Sequence, residues 1–187
     1  VEGLLVFAKN KKAAADLSAQ LQCREGADVL NKRYYAVLCA DPPEDAGELI
    51  DYLYKDRTCR AMVLDPPDYG RFPQAQKAIL EFSVLRKAAI PGVQKQDWGG
   101  LPKILTLVDI RIETGRFHQI RAQMAHAGLP LLGDMKYGSE SSIALSRRLG
   151  IKNTALCAYS LEFLHPSSKE RMRFQTEPAG EAFRLFF

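Results

Sequence analysis

The sequence predicts a single α+β domain built on a mixed, largely antiparallel sheet with flanking helices. Three observations carry this expectation. Strand-patterned segments outnumber helical ones, the last two strands are joined by the turn-rich link His165-Pro166-Ser167-Ser168 as in a hairpin, and no repeat, low-complexity tract or linker divides residues 1–187.

Taken in order, Leu4 to Ala8 is a continuous apolar run bounded by Gly3 and Lys9 and is expected as a buried strand. Asn10 is placed to cap a helix whose apolar positions Ala14, Leu17 and Leu21 recur at helical spacing, ending near Glu25-Gly26. Lys32 to Cys39 is rich in aromatic and branched residues and predicts a strand that stops at Asp41-Pro42-Pro43. Within Gly47 to Leu64 two short strands are expected, around Ile50 to Tyr54 and Ala61 to Leu64. Asp65 to Pro73 and Ile90 to Pro102 are proline- and glycine-bearing and predict loops. Lys77 to Leu85 and Ile104 to Glu113 both alternate. Ala78, Leu80, Phe82 and Val84 share one side of the first, and Asp109, Arg111 and Glu113 the polar side of the second. Ser142 to Leu149 predicts a helix closed by Gly150 at C′. Leu156 to Leu164 and Arg171 to Gln175 predict the late hairpin, with Met172 and Phe174 facing in, and Gly180 to Phe187 a final helical turn.

With 187 residues, 47% of them hydrophobic, the chain is long enough for one domain with a real core, and a second is not expected. A net charge of +4 permits nucleic-acid binding through a local basic surface without demanding it. Cys23, Cys39, Cys59 and Cys157 have no metal-ligand or redox spacing, so they read as reduced thiols of a cytoplasmic protein with no metal site. No apolar run is long enough to span a bilayer. Neither G-x-G-x-x-G, a P-loop nor G-x-S-x-G occurs, so no bound cofactor is expected.

The densest chemistry lies in Thr114 to Gly138. A helical wheel begun at Phe117 puts Phe117, Ile120, Met124, Ala125, Ala127 and Gly128 in one apolar arc with Arg121 near its middle. His118, Gln119, Ala122, Gln123 and His126 fall on the other side, read as a wetted or ligand-facing surface. A guanidinium aimed into an apolar arc must meet a carboxylate. Either Arg121 bridges Asp134 across the following turn or it serves a functional anion. Tyr34 and Tyr35 alternate on their strand, one ring expected buried and the other exposed, and a sheet tyrosine is the plainest reading of either.

These residues also carry a resemblance. Gly115 to Gly138, GRFHQIRAQMAHAGLPLLGDMKYG, resembles the paired GRxHQIR and PhhGDxxYG motifs of the RluA-type RNA pseudouridine synthases. Gly3 to Asn10 is similar to the end of that family's HRLDxxTSGLLhFAK motif, Lys32 to Val37 to its KxYxAhV strand, and Leu156 to Pro166 to its LHAxxLxFxHP strand. Four motifs occur in order over almost the whole chain. Two departures stand out: Val1-Glu2 replaces Thr-Ser, and Cys157 stands where the histidine of LHA is usual. By motif register the catalytic aspartate lies three residues before Val1.

The resemblance implies the pseudouridine synthase fold with a central RNA-binding cleft, and residues 1–187 as one catalytic domain lacking its N-terminal part, with no added RNA-binding domain. It implies isomerisation of a specific uridine in ribosomal or transfer RNA, no cofactor, no membrane and a monomer. Arg121 would then point toward the Val1 end, into a cleft shared with Tyr34, rather than toward Asp134, and pair with the aspartate, while Tyr34 would stack on the flipped base. Arg116, His118 and Gln119, with Lys32 and Lys9 as weaker candidates, would contact RNA. The competing expectation is a catalytically inactive relative acting as an RNA-binding or assembly factor.

Overall fold

The computed structural model describes residues 1–22, 30–65, 70–90 and 101–187. Its strands are β1 (Glu2–Gly3), β2 (Asn31–Leu38), β3 (Ala46–Lys55), β4 (Ala61–Leu64), β5 (Gln76–Ala89), β6 (Ile104–Ile112), β7 (Leu156–Leu164) and β8 (Arg171–Gln175). Helices α1 (Lys11–Gln22), α2 (Gln119–His126) and α3 (Glu140–Arg148) flank them, and a 3-10 turn spans Glu181–Phe183. Among the described residues the strands form one sheet in the order β1-β7-β2-β6-β5-β3-β4, with β8 also on β7. Every pairing is antiparallel except β1 with β7. The α+β expectation therefore holds.

Alternation along β2, β5 and β6 sorts side chains onto two covered faces. Ala36, Leu38, Leu80, Phe82, Val108 and Ile110 pack with Ile120 and Met124 of α2. On the reverse face Val37, Leu105 and Leu107 pack with Leu145 of α3 and with Phe183 and Phe186 of the tail. Tyr34 joins the α2 side and Tyr35 the other, as alternation requires. Both rings are half-buried, because Tyr35 stacks on Tyr159 with centroids 3.7 Å apart rather than facing solvent.

Local signals were realised where the chain satisfies its own backbone. Asn10 Oδ1 accepts from the Ala13 N–H at 2.9 Å and starts α1, whose expected end at Glu25-Gly26 lies outside the described residues, as does much of both predicted loops. Ser139 caps α3, and the Ile151 N–H reaches back to Ser146 O around Gly150.

Three expectations need correction. Leu4 to Ala8 is not a buried strand: pairing with β7 ends after Gly3 and the Leu4 N–H, leaving Leu5 and Phe7 at 73% and 82% exposure. Leu4 and Val6 alone pack inward, against Leu30, Leu161 and Phe163. Asp109 is buried rather than on a polar side, because Arg33 and the Tyr159 hydroxyl both donate to it across the sheet. Phe174 remains exposed near Phe163, so only Met172 of β8 turns inward.

Candidate RNA-facing site at the start of helix α2

The backbone enters α2 through Thr114, Gly115 and Arg116 and makes a left-handed turn at His118, with φ 50 and ψ 27. The adjoining end of β5, Gln76 to Ile79, extends beyond its ladder with β6, which begins at Leu80. Ile79 O there accepts the Glu113 N–H at 3.1 Å, and side chains at the entry to α2 supply further donors to this end. Gln119 Nε2 donates to Ile79 O at 3.0 Å, Arg116 Nε to Lys77 O at 3.0 Å and Gln123 Nε2 to Ala78 O at 3.3 Å, the last also reaching Leu49 O at 3.1 Å and Asp51 Oδ2 at 2.7 Å on β3. Gln119 Oε1 accepts from the Thr114 hydroxyl and the Arg116 N–H.

The polar arc of α2 is consequently not a wetted surface. Gln119, Ala122 and Gln123 are buried, while His126 is exposed and Phe117, placed in the apolar arc, is 40% exposed. Gln119, expected to touch RNA, has both ends of its amide committed inside the protein.

Arg121 meets Asp134. Its Nε donates to Oδ2 and its Nη2 to Oδ1, both at 2.7 Å, with side-chain exposures of 15% and 1%. The expectation that Arg121 turns toward the Val1 end instead of Asp134 is corrected. The turn after α2 fixes this carboxylate in place: Asp134 Oδ1 also accepts the Lys136 and Tyr137 N–H groups, each at 3.0 Å. Burial alone would raise the Asp134 carboxyl, yet the Arg121 bond and these backbone donors hold it below its ordinary value. The Asp134 bond correspondingly raises the Arg121 guanidinium.

Beside this pair, the Tyr137 ring has the Arg121 guanidinium 4.9 Å from its centroid and that of Arg60 at 5.1 Å. Its hydroxyl oxygen accepts the Ala61 N–H at 2.8 Å and lies 2.9 Å from His118 Nδ1. His118 stacks on Phe117 at 3.9 Å, and Lys55 Nζ lies 4.5 Å from the Phe117 centroid. Lys136 Nζ donates to Cys59 O at 2.5 Å, so the β3–β4 tip is tied to the turn after α2. Burial, then Arg121 and Lys136, push the His118 imidazole below its ordinary value, which keeps it neutral near pH 7. An adjoining cavity of about 280 Å3 is lined by Leu53, Tyr54, Lys55, Ala61, Gln74, Gln76, Arg116 and Phe117.

The structure thus brings Arg116, His118 and Arg121 together and adds Lys55, Arg60, Lys136 and Tyr137, which sequence reasoning had not assigned. Tyr137 stood within the PhhGDxxYG match, whereas the hairpin cations gave no signal because only tertiary pairing delivers them. Tyr34 packs on the same sheet face as Ile120 and Met124 of α2, and burial raises its hydroxyl. Lys32 is half-buried on β2, with its ammonium lowered by burial. Lys9 lines a different groove, with Phe7, His165 and Pro166. Glu48, Glu81 and Glu113 gather on strands β3 and β5 and just after β6, but Arg111 donates to Glu81 there, and the group lies outside this constellation.

The architecture is that of pseudouridylate synthase domains. The human RNA pseudouridylate synthase domain containing 1 superposes with a TM-score of 0.65 at 20% identity, covering 91% of this chain and 62% of that one. The chain belongs to the RNA pseudouridylate synthase family, whose profile matches residues 1–126. It is 31% identical over 180 residues to an uncharacterized RNA pseudouridine synthase of Aquifex aeolicus, covering 94% of this chain and 49% of that protein. It is 30% identical to ribosomal large subunit pseudouridine synthase D of Zymomonas mobilis, covering 98% and 51%. The dual-specificity RNA pseudouridine synthase RluA of Pasteurella multocida shares 32% identity, covering 95% and 68%. The chain therefore spans about half the length of several curated relatives it matches.

Proposed function

We propose that this chain is the catalytic part of an RNA pseudouridine synthase acting on one uridine of a structured ribosomal or transfer RNA, as a cytoplasmic monomer without a cofactor. The observation that carries the reading is the constellation at α2, where Arg121, Arg116, Lys55, Arg60 and Lys136 gather around His118 and Tyr137, in a chain of this family. The basic groups attract phosphate and the aromatic groups offer surfaces for an unstacked base.

In the reaction the C1′–N1 bond breaks, the uracil turns, and C5 joins C1′. The C5 proton leaves and N1 takes one up, so atoms and electrons balance within the nucleotide. The aspartate that the motif places three residues before Val1 supplies the nucleophile or base. Tyr34 contacts the flipped base. Arg121, already held by Asp134, keeps an edge for that second carboxylate. Arg116 and His118 contact RNA, with Lys32 and Lys9 as outlying contributors, and Gln119 acts by fixing the loop that carries Arg116.

The test is a transcriptome-wide pseudouridine map of cells with and without the protein, complemented by the wild type and by Arg121→Lys. Loss of a ribosomal or transfer RNA site, restored by the wild type and not by Arg121→Lys, is expected, because a point charge replaces a bidentate fork. An unchanged map overturns the function, and full restoration by Arg121→Lys overturns the role of the fork.

A further inference from the structure

The geometry points to Tyr137 as a positioning residue that fixes His118 in its Nε2–H tautomer, so that the ring offers one hydrogen-bond donor to an acceptor oxygen of the RNA. This deepens the proposed RNA function and rests on it.

The argument begins with one hydroxyl proton. Tyr137 Oη already accepts the buried Ala61 N–H at 2.8 Å, and its remaining polar neighbour in the structure is His118 Nδ1 at 2.9 Å. The ring itself lies beside the guanidinium groups of Arg60 and Arg121, which offer donors and no acceptor. If His118 Nδ1 carried a proton, the phenol would receive two donors and its own O–H would be left without an acceptor among the described residues. The arrangement that satisfies every group has Tyr137 donating to an unprotonated Nδ1. The imidazole proton then sits on Nε2, which has no hydrogen bond within the described residues.

The charges facing His118 act in the same sense. Arg121, Lys136 and Lys55 oppose a second proton on the ring, and Asp134, spent on Arg121 and two backbone N–H groups, only partly offsets them. Phe117 closes one face of the ring by stacking at 3.9 Å. The backbone is also specialised. His118 stands in the left-handed region at φ 50, a conformation a non-glycine residue holds only when its surroundings fix it. Here that fixing is the stack on Phe117 and the bond to Tyr137, and the Tyr137 bond to Ala61 ties the same ring to the start of β4. A half-buried imidazole anchored through Nδ1 can present only its Nε2 edge outward.

The experiment uses 15N-labelled protein and long-range proton–nitrogen correlation at pH 7, in which His118 is distinguished from His126 and His165 by substitution. The expected spectrum shows Nε2 protonated and Nδ1 bare, and Tyr137→Phe, which keeps the ring between the two arginines, converts this signature to a mixture of tautomers. Binding of a fluorescein-labelled, uridine-containing RNA hairpin at low salt is measured in parallel. Tyr137→Phe and His118→Asn are each expected to weaken it about three- to tenfold, the scale of one net hydrogen bond. Asparagine tolerates the left-handed backbone but removes the Nε2 donor, whereas His118→Gln restores a donor near that position and retains most of the affinity. Tyr137→Phe is expected to add nothing in the His118→Asn background. A wild-type spectrum with Nδ1 protonated, or an undiminished Tyr137→Phe effect in that background, overturns the positioning role alone. A correct tautomer in a protein that does not bind RNA even at low salt overturns the RNA reading and, with it, the donor's purpose.

Discussion

Replacing Asp134 by Asn tests whether the ion pair with Arg121 holds the site together. The substitution keeps shape and leaves Oδ1 for the Lys136 and Tyr137 N–H groups, so the turn can stay closed. The atom that changes is Oδ2, which becomes an amide nitrogen 2.7 Å from Arg121 Nε, setting donor against donor. Removing one partner of a buried pair costs about 3–5 kcal/mol, mostly because the other charge is stranded. With Arg121 at 15% exposure, water reaches part of the guanidinium, and the lower figure of about 3 kcal/mol applies. For a urea dependence of about 2 kcal/mol per molar, the unfolding midpoint falls by about 1.5 M. Circular dichroism in a urea titration reads this directly. A shift below about 0.5 M would put the pair among surface ion pairs worth at most about 1 kcal/mol, and would refute the claim that it braces α2 against the turn.

The same pair sets a pH dependence. The Asp134 carboxyl is lower in the folded protein than its ordinary value of 3.8, so its stabilisation is complete above that value and is lost as pH falls through the folded one. The gap in melting temperature between wild type and Asp134→Asn should therefore narrow from pH 5 toward pH 2, and a constant gap would contradict the assignment. Two glycines separate strain from collision. Gly128 and Gly133 have φ of 76 and 75, but an added Cβ meets open space at Gly128 and would lie 2.0 Å from Asn153 O at Gly133. Gly128→Ala should cost about 1–2 kcal/mol, and Gly133→Ala much more or prevent folding, as measured by thermal denaturation. Gln119→Leu should lose about 2–3 kcal/mol in urea titrations by orphaning the Thr114 hydroxyl and the Arg116 N–H. RNA affinity of the folded fraction should hardly change; a large selective loss of binding would return Gln119 to the interface.

Where one segment answers to its own periodicity, the sequence was readable. Alternation located β5 and β6, aromatic and branched content located β2, and Asn10 and Gly150 marked helix ends through bonds within a few residues of themselves. The wheel for α2 placed Ile120 and Met124 correctly, but Phe117, Ala127 and Gly128 of its apolar arc are exposed, and most of the arc it gave to solvent or ligand is buried. Its real partners are carbonyls of β5 some forty residues earlier, which no local pattern encodes. Leu4 to Ala8 failed for the related reason that an apolar run does not say how far a neighbouring strand will accompany it. For Arg121 the pairing with Asp134 was one of two foreseen readings, and the turn that follows α2 holds those carboxylate oxygens ready for it. The cations of the β3–β4 tip were invisible until hairpin geometry brought Arg60 and Lys55 to the rings of Tyr137 and Phe117.

The parallel seating of β1 on β7 joins the first described strand to nearly the last. During synthesis, β3 to β6 can assemble with sequence neighbours as they emerge, and β2 can add to β6. The place for β1 exists only once Leu156 to Leu164 has been made and docked on β2, a closure between distant parts of the chain that belongs to the slow stage of folding. A nascent chain stopped after α2 would lack Asp134 and Tyr137, the partners that hold Arg121 and His118. It would also have no berth for β1. β1 and the partners of Arg121 and His118 therefore all wait on chain made after α2.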